Sequence, residues 1–317
     1  MSVYDAKYDL ENGYIDNWLV AGPQAIEVTD LERFTGDDFK LQIARHYYED
    51  DAGIIQAPLE NAKFSVGGDE ELTWRYFRCA DDHFVDLTAF YHICHYLRGW
   101  AFARLVSPAA QQVTLVLTTN GPADVWLRDE HVHRQEHFYH QLPHSVSFPA
   151  TLEEGPNDIL VRVEEVATRE CPYAMALQIV GPARYDGTEQ IVVHLPTSNK
   201  NLARRRRLEQ VFEAAYLEQD VYVRDDQIVL RWPADLEDST SVTVRLQTPS
   251  GRIFAEAERM AMADNYAKLS YAYQLLDGPY HAVVMPRPKE FYEGNMRVHR
   301  KIPLYSMRNR TSDAPYG

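Results

Sequence analysis

The stretch Val113-Thr114-Leu115-Val116-Leu117-Thr118-Thr119-Asn120-Gly121-Pro122-Ala123-Asp124-Val125-Trp126-Leu127 decides the fold. Val113, Leu115 and Leu117 alternate with Thr114 and Thr118, the period-2 pattern of a strand with one buried face. Asn120-Gly121-Pro122 is a turn signal. Val125 and Leu127 then alternate with Asp124, Trp126 and Arg128. Outward from this hairpin the same pattern repeats. Trp100 to Leu105 reads as the preceding strand, and Ile159-Leu160-Val161-Arg162-Val163 follows the turn Glu153-Glu154-Gly155-Pro156. Ala174 to Val180 closes the run before Gly181-Pro182. The entry segment Trp18-Leu19-Val20-Ala21-Gly22-Pro23 reads as a short apolar strand stopped by Gly-Pro.

These phrases together, WLVAGP, VTLVLTTN, ADVWL and L-x-x-G-x-N-x-I-L-V-x-V, resemble the galactose-binding-like jelly roll that accompanies bacterial glycoside hydrolases. The resemblance covers about residues 14–183. It implies a β-sandwich and a carbohydrate ligand class, and it names no reaction.

A second region begins near Glu189. Leu208, Val211, Phe212, Ala215 and Tyr216 fall at i, i+3, i+4, i+7 and i+8, which predicts an amphipathic helix over about 200–218, with Ser198 or Asn199 as its cap. Phe212 and Tyr216 are expected to be buried, and Arg205 and Glu209 exposed. The run Arg204 to Arg207 reads as a solvated helix face. Beyond it, Ile228/Leu230/Trp232, Val242/Val244/Leu246 and Leu269/Tyr271/Tyr273/Leu275 alternate as strands. The turn Leu275-Leu276-Asp277-Gly278-Pro279-Tyr280 resembles that of an immunoglobulin or fibronectin-III sandwich. The expected fold class is therefore all-β, with two β-sandwich domains joined by one helix. The boundaries are 1–183 for the jelly roll, 184–218 for linker and helical arm, 219–305 for the second sandwich and 306–317 for a polar tail that could lead into further modules.

Composition narrows the function classes. The chain has 317 residues and a net charge of -15. Such a surface repels phosphate, so neither nucleic acid nor an anionic membrane is an expected partner. Cys79, Cys94 and Cys171 form no CxxC pair and read as small buried hydrophobes. The first 14 residues carry acidic groups and no apolar core of a leader, and no long apolar run follows, so the expected location is cytoplasmic. No nucleophile elbow, phosphate-binding loop, dinucleotide fingerprint or HExxH motif occurs. Adjacent acidic pairs such as Glu153/Glu154 and Glu164/Glu165 point to opposite faces of a strand and do not make a dyad by themselves. No catalytic residue, cofactor or metal is expected.

Two features attract a ligand reading. Strand parity turns Trp126 to the outer face beside Asp124 and Arg128, where an open indole would stack on a sugar ring while charged groups bond its hydroxyls. His131, His133, His137, His140 and His144 crowd into the following hairpin. His-x-His on a strand places two rings on one face, which would suit a metal, but the spacing around Glu136 departs from known metal motifs. The expected ligand site is thus Trp126, Asp124, Arg128, His131 and His133. The preferred function is a non-catalytic carbohydrate-binding or architectural module pair of a larger carbohydrate-active protein. A polysaccharide hydrolase or lyase, using Arg128, Arg134 and Tyr139, and a protein-interaction scaffold, docking another domain, are the alternatives.

Overall fold

The computed structural model describes residues 3–52, 57–66, 70–139, 142–181, 190–198, 200–223, 226–232, 242–259, 266–269, 275–286 and 300–307. The chain is all-β and divides into two compact units, Met1–Lys200 and Asn201–Gly317.

The first unit contains strands β1 (Tyr4–Asp9), β2 (Asn17–Glu27), β3 (Lys63–Ser65), β4 (Glu71–Thr73), β5 (Arg75–Arg78), β6 (Val85–Asp86), β7 (Phe90–Ser107), β8 (Gln111–Thr119), β9 (Ala123–Leu127), β10 (Glu130–Gln135), β11 (His144–Leu152), β12 (Gly155–Glu170), β13 (Ala174–Val180) and β14 (Val192–Thr197), with helix α1 (Phe39–Tyr47). A large sheet runs β1-β14-β7-β12-β9-β10, with β2 also paired to β7 and β5 to β2; a smaller sheet runs β11-β8-β13-β6. Alternation builds the core between them. Val125 and Leu127 on β9, Ile159, Val161 and Val163 on β12, and Val113, Leu115 and Leu117 on β8 are all buried, and each sits one residue from a neighbour that points the other way.

One turn and one bulge depend on glycine. Gly121 approaches the backbone carbonyl of Glu164 so closely that any Cβ would collide with it. Gly22 has φ +102°, and a Cβ there would lie 2.9 Å from the Arg98 carbonyl oxygen. The expected stop at Gly22-Pro23 does not occur. The β2 register shifts between Ala21 and Gln24, and the strand then continues to Glu27. A bulge absorbs the Gly-Pro step and lets pairing with β7 resume.

The excursion between β2 and β5 carries α1, which has no long apolar stripe to announce it. Its Ile43 and Ala44 pack with Val28, Cys94, Tyr96 and Val166 in a small satellite core.

The second unit contains α2 (Lys200–Glu213), β15 (Tyr216–Leu217), β16 (Val221–Val223), β17 (Ile228–Arg231), β18 (Val242–Gln247), β19 (Ile253–Arg259), β20 (Tyr266–Leu269), β21 (Gly278–Pro286) and β22 (Arg300–Met307). Its sheets run β15-β17-β20 and β16-β22-β21-β18-β19. Leu208, Val211, Phe212 and Ala215 join one core with Tyr222, Leu230, Trp232, Val244 and Leu304. The helix stripe is therefore part of this unit's interior. The helix ends at Glu213, earlier than the spacing predicts. Tyr216 is 54% exposed, because residues 216–217 pair with β17 and strand parity sends Leu217 inward and Tyr216 out. Glu209 is half-buried and contacts Arg206 at 3.4 Å. The Arg204 and Arg205 side chains, Asn199, Tyr271 and Tyr273 lie outside the described residues. In the turn before β21, the Tyr280 hydroxyl accepts from the Leu276 N–H at 3.1 Å and donates to the Leu276 carbonyl at 3.2 Å. That pair of bonds holds the turn onto the strand it opens.

Candidate functional site: a sealed ionic face on the large sheet

The outer face of the large sheet collects Asp124, Trp126 and His131 from the residues singled out above. Register places Arg134 of β10 opposite Asp124 of β9, Asp124 opposite Arg162 of β12, and Arg162 opposite Trp100 of β7. The next row is His131, Trp126, Leu160 and Phe102. On the other side Glu164 faces Arg98, which faces Gln24. Opposite charges thus stand directly across from one another, the favourable arrangement for cross-strand pairs.

Asp124 is fully buried and has four partners. Its Oδ2 accepts from Arg134 Nη1 at 2.6 Å and Arg162 Nη2 at 2.9 Å. Its Oδ1 lies 2.8 Å from His131 Nε2 and 3.5 Å from the Tyr48 hydroxyl. Glu164, also fully buried, receives Arg134 Nη1 at 3.3 Å and has Arg162 Nε at 3.8 Å. Burial raises the Glu164 carboxyl above its ordinary range, and the two guanidinium groups oppose that rise.

The lid over this network is the segment after α1. Arg162 donates to the Glu49 and Asp51 carbonyls at 2.5 and 2.7 Å. Trp100 Nε1 donates to the Ala52 carbonyl at 3.2 Å. The Tyr48 ring lies over the Arg134 guanidinium at 3.7 Å, within cation–π range. Arg98 reaches Glu49 at 2.6 Å.

The expectation of an open indole is corrected by this geometry. Trp126 does face outward by parity, but it is only 5% exposed. Its ring packs beside Arg162 at 5.1 Å and His131 at 5.2 Å. Sequence alternation reports which face a residue occupies and carries no record of a distant segment folding over that face.

The other site residues separate. Arg128 leaves the row because the β9–β10 turn gives it φ +50°; it binds the Thr151 carbonyl and Asn157 Oδ1, each at 2.9 Å. It borders a cleft of about 420 Å³ between the β9–β10 hairpin and strands β8 and β11. The His-x-His reading also changes. A bulge between His131 and His133 inserts one residue, so the two rings take opposite faces. His131 goes to Asp124, while His133 stacks on Phe148 at 4.1 Å and 5°. His144 stacks on Tyr139, and His140 lies outside the described residues. Among the described residues no group of three His, Cys, Asp or Glu side chains is arranged to hold a metal, and no helix is long and apolar enough to cross a membrane.

Sequence reasoning missed Arg98, Arg162 and Glu164 as members of this network. The signal was present: charged residues at alternate positions in otherwise apolar strands must either face water or find buried partners.

No protein family's model matches the chain, and no curated protein matches it. Solved structures do. They include a β-glucuronidase of Ruminococcus gnavus (13% identity, 95% of this chain and 47% of that one, TM-score 0.27). A β-glycosidase of Bacteroides vulgatus is similar at 12% identity, over 94% of this chain and 33% of that one, with TM-score 0.27. A glycosyl hydrolase family 2 member of Bacteroides cellulosilyticus matches at 13% identity, over 95% of this chain and 36% of that one, with TM-score 0.25. The chain spans less than half the length of each of these, and likenesses at 12–13% identity with TM-scores of 0.25–0.27 assign it neither a family nor an activity.

Proposed function

We propose that this chain is a non-catalytic, architectural pair of β-sandwich modules, a jelly roll followed by an immunoglobulin-like sandwich, within a carbohydrate-active protein. The ligand class of the larger protein rests on the resemblance of the WLVAGP, VTLVLTTN and L-x-x-G-x-N-x-I-L-V-x-V segments to glycoside hydrolase accessory domains. The architectural role rests on one observation: the carboxylates Asp124 and Glu164 are neutralised by Arg134 and Arg162 and sealed under residues 48–52. Two buried carboxylates whose charges are held by two guanidinium groups are poorly placed to protonate a glycosidic oxygen or to act on the opposite face of a sugar ring, the two tasks glycoside hydrolysis assigns to its acid pair. The network instead pins a long excursion onto the sheet.

The test is a titration with mono- and oligosaccharides followed by tryptophan fluorescence, together with a chromogenic glycoside assay. The architectural reading expects no turnover and no saccharide response that depends on Trp126. Trp126→Ala should lower the denaturation midpoint. Hydrolysis abolished by Asp124→Asn, or sugar-dependent quenching lost in a folded Trp126→Ala variant, would overturn it.

A further inference from the structure

Charged residues make up 25% of the chain, and its net charge is -15. The outer face of the smaller sheet departs from both. No residue that β8, β11 or β13 turns outward is ionisable. Register sets these side chains in rows across the three strands. Ser147, Val116 and Gln178 form the middle row. Pro149, Thr114 and Val180 lie on one side of it, and Ser145, Thr118 and Ala176 on the other. Asp86 of β6, opposite Ala174, brings the first charge at the border.

The face has an apolar centre and a hydroxyl surround. Val116 is half-buried, Pro149 is exposed and Val180 is 40% exposed. Around them Ser147 and Thr151 are exposed, and the Thr118 and Ser145 hydroxyls lie 2.7 Å apart. Depletion of charge at the middle of a patch, with polar groups about an apolar centre, is the compositional mark of a protein interface.

We propose that this face is a self-association surface, on which a second copy of the chain packs about a twofold axis. Across a twofold axis one patch must complement itself. Hydroxyls and primary amides meet that condition, because each both donates and accepts. Carboxylates do not meet it, and this face has none. A basic partner would call for carboxylates here, and an acidic one for lysine or arginine. The overall charge points the same way. Two chains of the same sign repel, and a charge-free patch lets them meet with their carboxylates kept outside the contact, where salt screens them over about 8–10 Å. Three short strands give a contact at the small end of specific interfaces, so the dimer should be weak, with a dissociation constant of about 10–100 μM. This goes beyond the architectural role, which uses the opposite side of the sandwich and different residues.

Sedimentation velocity of the full chain, over a series from about 1 μM to about 500 μM, tests it. The native chain should show a reversible monomer–dimer equilibrium. Raising the salt should tighten the dimer, because screening removes repulsion between like-charged copies. Val116→Glu sets carboxylates against each other across the axis and should weaken the dimer at least tenfold while near-UV circular dichroism stays native. Ser147→Glu makes the same test at an exposed position, where the fold is not at risk. Phe90→Glu changes an exposed apolar residue of β7, 58% exposed, and should leave the dimer unchanged. A native chain that stays monomeric across the series would overturn the proposal. So would a dimer that loosens with salt, one unchanged in Ser147→Glu, or one abolished by Phe90→Glu. None of these outcomes bears on Asp124 or Trp126, so the architectural reading fails or survives separately.

Discussion

The two faces of strand β12 carry the same backbone and different physics. Toward the smaller sheet, Ile159, Val161 and Val163 fill an apolar core. Away from it, Leu160, Arg162 and Glu164 are buried just as deeply, yet two of the three are charged. The inner face is non-directional: any side chain of about the right volume gains most of the transfer energy. The outer face is directional. Arg162 and Glu164 are tolerable only because Asp124, Arg134 and the Glu49 and Asp51 carbonyls stand at particular distances. An apolar face adheres to whatever covers it, whereas a charged buried face accepts one covering segment in one register. The difference supplies a reason for ionic residues where apolar ones would be at least as stable: they select the segment 48–52 as lid.

The comparison breaks most sharply at Arg162. Arg162→Met should cost about 3–5 kcal/mol in urea denaturation, because Asp124 and Glu164 would stay buried with one guanidinium fewer. Replacing Asp124, Arg134, Arg162 and Glu164 together with apolar residues of similar volume should cost less than that single change. If the fourfold variant is the less stable one, the network stabilises rather than selects, and the contrast between the faces is wrong.

In the second unit, Phe212→Ala should cost about 3–5 kcal/mol, since the ring is 1% exposed within the buried core of that unit. An unchanged denaturation midpoint would show α2 to be peripheral. On the inner face of β12, Ile159→Val should cost only about 0.5–1.5 kcal/mol, and the gap between this value and that for Arg162 measures how far the two faces differ.

The smallest effect is a pH dependence. Burial lowers the His133 pKa below its ordinary 6.5. The unfolded chain therefore binds this proton more readily than the folded one. The stability tied to neutral His133 is complete above pH 6.5 and is lost as the pH falls through the folded value. His133→Phe keeps a ring against Phe148 and removes the titration. The melting temperature of the variant should fall less than that of the native chain on acidification below pH 6.5. Parallel profiles would show that His133 does not titrate against a buried environment.

Much of the fold was legible because its determinants are local. Period-2 alternation at Val113/Leu115/Leu117 and Ile159/Val161/Val163 identifies buried strand faces, since successive side chains must point oppositely. The five-position stripe from Leu208 identifies α2, although its last member, Tyr216, obeys strand parity instead. A short helix such as α1, held by Ile43 and Ala44 against the large sheet, has too few positions to declare its period.

The site was legible only in part. Alternation alone determined that Asp124 and Trp126 share the outer face of β9 and that Arg162 and Glu164 share the outer face of β12. Tertiary structure decided the rest. It brought Tyr48 onto Asp124 from 76 positions upstream and the Glu49 and Asp51 carbonyls onto Arg162, and so turned a would-be open platform into a sealed one. It also placed a bulge at Val132, which sends His131 and His133 to opposite faces. Long-range covering and one-residue register shifts leave no periodic trace in the chain, because the pattern of polar and apolar residues records the face a side chain takes and not what that face will meet.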